Sequence, residues 1–243
     1  MMSYDVNFTI LICHEFTASF NLESVRVRIV LFGVRTPLVV DYEETCERLG
    51  IEVAAGVSVH GTPRMLDPSR VIQLDDVDTV IDTAFVTCAF SSSRRKELSE
   101  LAFASGLTAA EALIDPTAVL PTSIRVGRGT YINAAAVIGG ASFIGEHVLI
   151  NRAVSLGHHS LIGDFVSIGP GATLASNIQV GDGAVIGAGA VIVPNIRIGA
   201  DAVIGAGSLV RKNVDDGVFV AGNPIKERPL DREKSSLNTT DEE

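Results

Sequence analysis

The sequence predicts a small α/β domain with a parallel, Rossmann-like sheet, followed by a left-handed parallel β-helix of hexapeptide repeats. Three observations predict it. Every sixth residue from Ile114 through Val210 is Ile, Leu or Val. Glycine follows that residue in most hexads, as at Gly139, Gly145, Gly157, Gly163 and Gly169. The composition has 23 Gly, no Trp and 3 Tyr alongside 47% hydrophobic residues, the make-up of a small-residue aliphatic core.

A six-residue period does not suit a helix, whose apolar stripe recurs every 3.6 residues. It suits short flat strands joined by tight turns, each strand sending one large aliphatic side chain into a narrow interior. Three hexads close one triangular coil, so equivalent residues of successive coils stack at the strand spacing of about 4.7–4.9 Å. Four residues after each aliphatic position stands a small or β-branched residue, among them Thr130, Ala136, Val148, Ala172 and Ala184. The glycines are expected to supply the corner conformations, since they carry no Cβ penalty.

The front of the chain has no such period. Val25–Val34 is a buried-strand run, and a helical stretch around Tyr42–Leu49 ends at Gly50. Ile51–Val59 and Thr79–Phe90 are further strand runs, and Ser91–Ser93 can cap a helix running through Ala104 that Gly106 ends. Strand–helix–strand order implies a parallel sheet. The expected organisation is an extension at 1–24, an acceptor-binding domain at 25–112, the β-helix at 113–226 opened by Asp115–Pro116, and a polar, disordered tail at 227–243.

A net charge of −10 argues against nucleic acid or an anionic membrane surface as partner. No apolar run reaches the roughly 18 residues of a membrane span. The acidic, Lys/Arg-free first 24 residues are unlike a signal peptide. Cys13, Cys46 and Cys88 are scattered and suggest neither a disulfide framework nor a metal knuckle, which fits a reducing cytoplasm.

Three stretches carry a family resemblance: Leu156–Ala172 (LGHHSLIGDFVSIGPGA), Val180–Pro194 (VGDGAVIGAGAVIVP) and Val220–Pro224 (VAGNP). With them the chain resembles the bacterial sugar O-acyltransferases and nucleotide-amino-sugar N-acetyltransferases, which include the sialic acid O-acetyltransferases. The resemblance implies a homotrimer with active sites between neighbouring prisms, acetyl-CoA as co-substrate, no metal, and a sugar or nucleotide-sugar acceptor held by the α/β domain. It places the general base on His158. Chemistry agrees, because acyl transfer from a thioester needs a base near neutral pH and histidine supplies one. His158 stands at the third position of its hexad, stacked between the small residues Gly140 and Ser176.

His159 occupies the place where the family carries Asp or Glu to orient the base and raise its basicity. Ser167 stands where relatives often have a second histidine that contacts acetyl-CoA. Ala188 and Ala206 match residues that contact it through the main chain, and Arg197, Arg211, Lys212, Lys226 and Arg228 are candidates for its phosphates. His147 and Asp164 read as turn-face residues. The turn after the first strand, Phe32–Pro37 (FGVRTP), lacks two glycines and a histidine of the family pattern. Gly56–His60 (GVSVH) lacks the acidic pair that follows the second strand. Two other readings compete: a non-catalytic trimeric scaffold, and a zinc β-helix carbonic anhydrase, which the spacing of His147, His158 and His159 disfavours.

Overall fold

A computed structural model of the protein describes residues 27–228. The extension at 1–24 and the part of the tail beyond 228 lie outside the described residues. In the front half, β1 (Arg28–Phe32), α1 (Val39–Leu49), β2 (Glu52–Ser58), β3 (Val71–Gln73), β4 (Ala84–Thr87) and α2 (Ser92–Ala104) form a four-stranded parallel sheet of order β3-β2-β1-β4 flanked by helices. The central β1 is buried from its second residue onward, as its apolar run demands. α1 stops at Gly50, whose left-handed conformation (φ 66°) turns its N–H back onto the Cys46 and Glu47 carbonyls. The Ser91 hydroxyl caps α2 by accepting from Arg94 N.

One expectation needs correction here. Only Ala84–Thr87 of the Thr79–Phe90 run is strand. The acidic stretch Leu74–Val80 coils into a 3-10 helix that turns only Val77 and Val80 inward. The short edge strand β3 had no periodic signal in its three residues.

From Leu113 the chain winds into the left-handed prism. The first face stacks Leu113–Ile114, Tyr131–Ile132, Leu149–Ile150, Ser167–Ile168, Val185–Ile186, Val203–Ile204 and Phe219–Ala221. The second stacks Val137–Ile138, Ser155–Leu156, Thr173–Leu174, Val191–Ile192 and Leu209–Val210. The third stacks Arg125–Val126, Phe143–Ile144, Leu161–Ile162, Gln179–Val180 and Arg197–Ile198. The periodic aliphatic residues from Ile132 to Val210 are buried in one continuous core, interleaved with the smaller Ala136, Ala172, Ala184, Ala190 and Ala202. Glu227 and Arg228, expected to begin the tail, instead belong to the strand Lys226–Arg228, which pairs antiparallel with Phe219–Ala221.

Glycine supplies the corner conformation at Gly129, Gly171, Gly183, Gly189 and Gly207, as expected, but the recurrent glycine of the motif has another task. Left-handed corners fall three residues after each inward aliphatic residue, on Ala135, Ala141, His147, Ala153, His159, Phe165, Asn177, Asn195 and Asp201 among others. The glycine directly after the aliphatic residue has no such φ. It is required by close stacking, since a Cβ on Gly139 would come within 2.3 Å of His158 N and one on Gly157 within 2.6 Å of Ser176 N. Backbone lies on backbone there, and no side chain can yield.

The α/β domain sits on the first face. Tyr42 lies over Tyr131 with ring centroids 3.9 Å apart. The buried Asp115 carboxylate accepts from Thr45 Oγ1 (2.8 Å), Arg48 and Thr117. Burial raises its pKa, but these bonds outweigh burial and hold the carboxyl below the usual range. Asp41 receives Asn133 Nδ2 and Arg152, both at 2.8 Å.

His147 is the largest departure in this region. It turns the corner between the third and first faces at φ 51°, yet it is buried beneath α2. Its ring stacks on Phe165 at 5.0 Å and meets Ser99 Oγ at 3.2 Å through Nδ1. Burial, then the nearby Arg95 charge, push its pKa down to about 4.

Two outcomes follow from this packing. Ile168→Asp puts an unpaired charge in the dry prism, at a cost of several kcal/mol, and should abolish cooperative folding; an unchanged melting curve would mean the hexad register is wrong. His147 stays neutral in the fold while the unfolded chain takes up a proton below about pH 6.5. Its contribution is therefore intact above about pH 6.5 and lost as pH falls toward 4, by at most about 3 kcal/mol. Denaturant melts at pH 7 and pH 4.5 should show this loss in the wild type and a smaller one in His147→Asn, asparagine being at home in left-handed corners.

Candidate active site

His158 and His159 stand where the chain passes from the second face to the third, between Leu156 and Leu161. Both are exposed on this edge. Their backbone is fixed by the coils on either side: His159 N donates to Gly140 O, and His158 O accepts from Asn177 N, each at 2.9 Å. His159 takes the left-handed corner conformation (φ 57°), which throws its ring across to that of His158. The two Nδ1 atoms lie 2.8 Å apart and the rings meet edge to face, with centroids 5.0 Å apart. One Nδ1 must therefore carry a proton and the other a lone pair. A Cβ on the stacked Gly140 would meet only Ser123 Oγ at 3.4 Å and Pro121 at 4.0 Å, and the His158 ring itself is exposed.

The other predicted site residues are elsewhere. Ala188 and Ala206 are exposed at the corner where the first face passes into the second, stacked one coil apart through Gly207 N and Ala188 O (2.8 Å). Ser167 is fully buried on the first face; its hydroxyl donates to Phe90 O (2.5 Å) and accepts from Arg95 (2.9 Å). Its hydrogen-bonding capacity is thus already committed at the domain join. Of the candidate phosphate contacts, Arg197 lies beside Asp215 and Asp216. Asp164 is exposed and accepts from Glu146 N, as a turn-face residue should.

The edge that bears His158 is opposite the first face, which the α/β domain covers. A single chain therefore keeps its base, its Ala188–Ala206 edge and its α/β domain on different sides of the prism. In the α/β domain, the strand order reverses direction between β1 and β4, and such a switch point opens a crevice at the carboxyl ends of the strands. Gly33 (φ 84°) and the loop after β4 border it. Thr87, the last residue of β4, keeps a buried hydroxyl without a hydrogen-bond partner. Sequence reasoning missed this group because nothing in a lone Thr marks it. It also missed Arg95, the only cation among the fully buried large side chains of the described residues.

The family model for bacterial transferase hexapeptide (six repeats) matches residues 177–212. No curated protein sequence matches the chain significantly. Solved structures do. The acetyltransferase domain of PglB from Neisseria gonorrhoeae FA1090, in complex with acetyl coenzyme A, is 26% identical with a TM-score of 0.74, covering 84% of this chain and 100% of that one. A His-to-Asn variant of perosamine N-acetyltransferase from Caulobacter crescentus, in complex with CoA and GDP-perosamine, is 27% identical with a TM-score of 0.76, covering 84% and 98%. WeeI from Acinetobacter baumannii AYE is 27% identical with a TM-score of 0.69, covering 82% and 99%. With the repeat, the matched model over 177–212 and a likeness that spans both halves of the structure, the chain is similar in fold and sequence to bacterial hexapeptide-repeat transferases, the sugar N-acetyltransferases among them.

Proposed function

We propose that the protein transfers the acetyl group of acetyl-CoA to an amine or hydroxyl of a sugar acceptor, with His158 as general base. The observation that carries this reading is the Nδ1–Nδ1 contact of His158 and His159 on an open prism edge. If His158 Nδ1–H donates to His159 Nδ1, the His158 Nε2 lone pair is left free on the exposed edge. There it can take the acceptor's N–H or O–H proton as that atom attacks the thioester carbonyl. The collapsing intermediate expels the CoA thiolate, which recovers the proton from His158. Throughout, His159 accepts the same hydrogen bond and steadies the ring in one tautomer, the service a carboxylate gives elsewhere. A second proton on His159 would leave two donors facing each other and break the pair.

The likeness to PglB and perosamine N-acetyltransferase, solved with acetyl-CoA or with CoA and a GDP-sugar, supports this co-substrate and acceptor class. We place acetyl-CoA along the Ala188–Ala206 edge and the acceptor in the β1/β4 crevice. A nucleotide need not be part of the acceptor, since the Phe32–Pro37 turn and Gly56–His60 depart from the family pattern. With base, cofactor edge and acceptor domain on different sides of one prism, the reading requires neighbouring copies, and a closed homotrimer supplies three equivalent clefts. The buried free thiols of Cys46 and Cys88 fit a cytoplasmic setting.

Two measurements test the reading. In a free-thiol release assay with acetyl-CoA and a panel of amino sugars, free and nucleotide-linked, His158→Ala should slow turnover by about 10²–10⁴-fold while leaving acetyl-CoA affinity nearly intact. His159→Ala should cost less and His159→Asp should retain activity, since Asp201 already shows that aspartate accepts such a corner (φ 53°). Loss of turnover in His159→Ala with most of it kept in His158→Ala would move the base by one residue. Light scattering should give three times the chain mass of 25.6 kDa, and a stable monomer would defeat the shared cleft.

A further inference from the structure

We propose that Arg95, in the first turn of α2, is a positioning residue that locks the acceptor crevice to the prism. The proposal rests on the acetyl-transfer reading. The guanidinium is 1% exposed, and all its partners are neutral oxygens. Nε donates to His147 O (2.6 Å), and one terminal nitrogen donates to Phe165 O (2.7 Å) and Val166 O (2.9 Å). The other reaches Ala89 O (2.8 Å), Phe90 O (3.1 Å) and Ser167 Oγ (2.9 Å).

These partners form two sets. His147 and Phe165 are equivalent corner residues of successive coils, both left-handed (φ 51° and 57°). At that position the carbonyl points out of the coil and takes no backbone N–H; the ladder uses the neighbouring carbonyls of Glu146 and Val148 instead. The pair is thus two outward acceptors one coil apart, a spacing that the flat fork of a guanidinium spans and a single ammonium does not. The second set, Ala89 O and Phe90 O, belongs to the loop after β4 that borders the acceptor crevice. One side chain therefore joins that loop to the prism corner. The charge survives burial: desolvation lowers the Arg95 pKa only to about 10, and the partial charges of six oxygens replace water.

The consequence is mechanical. The crevice must face a cleft made with another copy, so its angle to the prism decides whether the acceptor reaches His158, and a misplacement of about 1 Å can cost about a hundredfold in rate. Acetyl-CoA, held by the prism alone, should not sense that angle.

The test compares wild type, Arg95→Lys and Arg95→Met in the full chain. With any acceptor from the panel that the wild type acetylates, Arg95→Met should raise the acceptor KM about tenfold or more and lower kcat, with the acetyl-CoA KM unchanged. Arg95→Lys, which keeps the charge but not the fork, should fall between. Equal shifts in both KM values would mean general destabilisation and overturn the proposal. A second arm needs no acceptor. Amide exchange at Tyr131, Leu149 and Ser167, beneath the α/β domain, should accelerate by about tenfold in Arg95→Met, and at Thr173 and Val191 on the second face it should not. If Arg95→Met does not fold, Arg95→Lys carries both arms with smaller effects in the same direction, and wild-type behaviour of Arg95→Lys overturns the proposal. A wild type that acetylates nothing defeats the acetyl-transfer reading, while the exchange arm still decides whether Arg95 holds the two parts together.

Discussion

Each turn of this molecule depends on backbone lying directly on backbone at the prism edges. Main-chain hydrogen bonds tie every coil to the next, for example Gly139 N to Leu156 O and Gly157 N to Leu174 O, at 2.7 and 2.8 Å. Where glycine stands one residue past the inward aliphatic position, that approach leaves no volume for a Cβ, so glycine recurs there for reasons of contact, while Asn133, Asn151, Ala175 and Val193 hold the same position in other hexads. Two residues later the chain must reverse, and left-handed backbone is imposed on whatever residue the hexad offers, alanine, asparagine, phenylalanine or histidine. A non-glycine residue in that conformation carries a local cost of order 1 kcal/mol. The stacked coils on both sides over-determine the turn and hold it. His159 owes its position to this constraint: a residue that left-handed backbone throws sideways lands its ring against its neighbour.

The same constraint shapes the join between the two halves. The first face could not be left bare, because Tyr131 and Leu149 turn large apolar surfaces outward on it; both are buried by the α/β domain. The domain straddles that face from edge to edge. α1 reaches the edge at Asn133 and Arg152 through Asp41, and α2 reaches the opposite edge through Arg95 and Ser99. Polar groups enclosed by this docking are matched one by one, Asp115 to Thr45 and Arg48, and the guanidinium of Arg95 to carbonyls, since an unmatched group there would cost more than the apolar burial returns.

The prism was legible in the sequence because its rule is strictly periodic and local: one aliphatic residue per strand, repeated without a gap. Helix ends marked by Gly50 and Ser91 were legible for the same reason, each being a local chemical signal. The 3-10 turn at Leu74–Val80 and the three-residue β3 were not, because neither is long enough to show a period. At the candidate site, motif position picked out His158 and His159, but their Nδ1 contact depends on the corner φ of His159, which no residue type announces. Misreading went furthest with His147. A histidine at a turn looks solvated in one dimension, and only the arrival of α2, some forty residues earlier in the chain, buries it. Arg95 escaped notice for the converse reason, since a basic residue early in a polar helix reads as a surface charge until the prism corner closes over it.

The three edges of the prism present three different surfaces, and the sequence period explains how that is possible. Every edge has the same backbone geometry, so each offers the same short column of corner residues and outward carbonyls. What differs is only which side chains the hexads place there. Where the third face meets the first, aromatic and histidine rings with two free carbonyls make a socket for α2. Where the first meets the second, Ala188–Gly189 and Ala206–Gly207 leave the main chain bare, the feature on which the proposed cofactor placement rests. Where the second meets the third, two histidines are set against each other in the open. A triangular section cannot bring these edges together within one chain, so a site that needs all three must be completed by contact between copies. In the shared cleft proposed above, the rigidity of each edge matters more than its reach, because parts held by separate chains can be aligned only if each is fixed to its own prism.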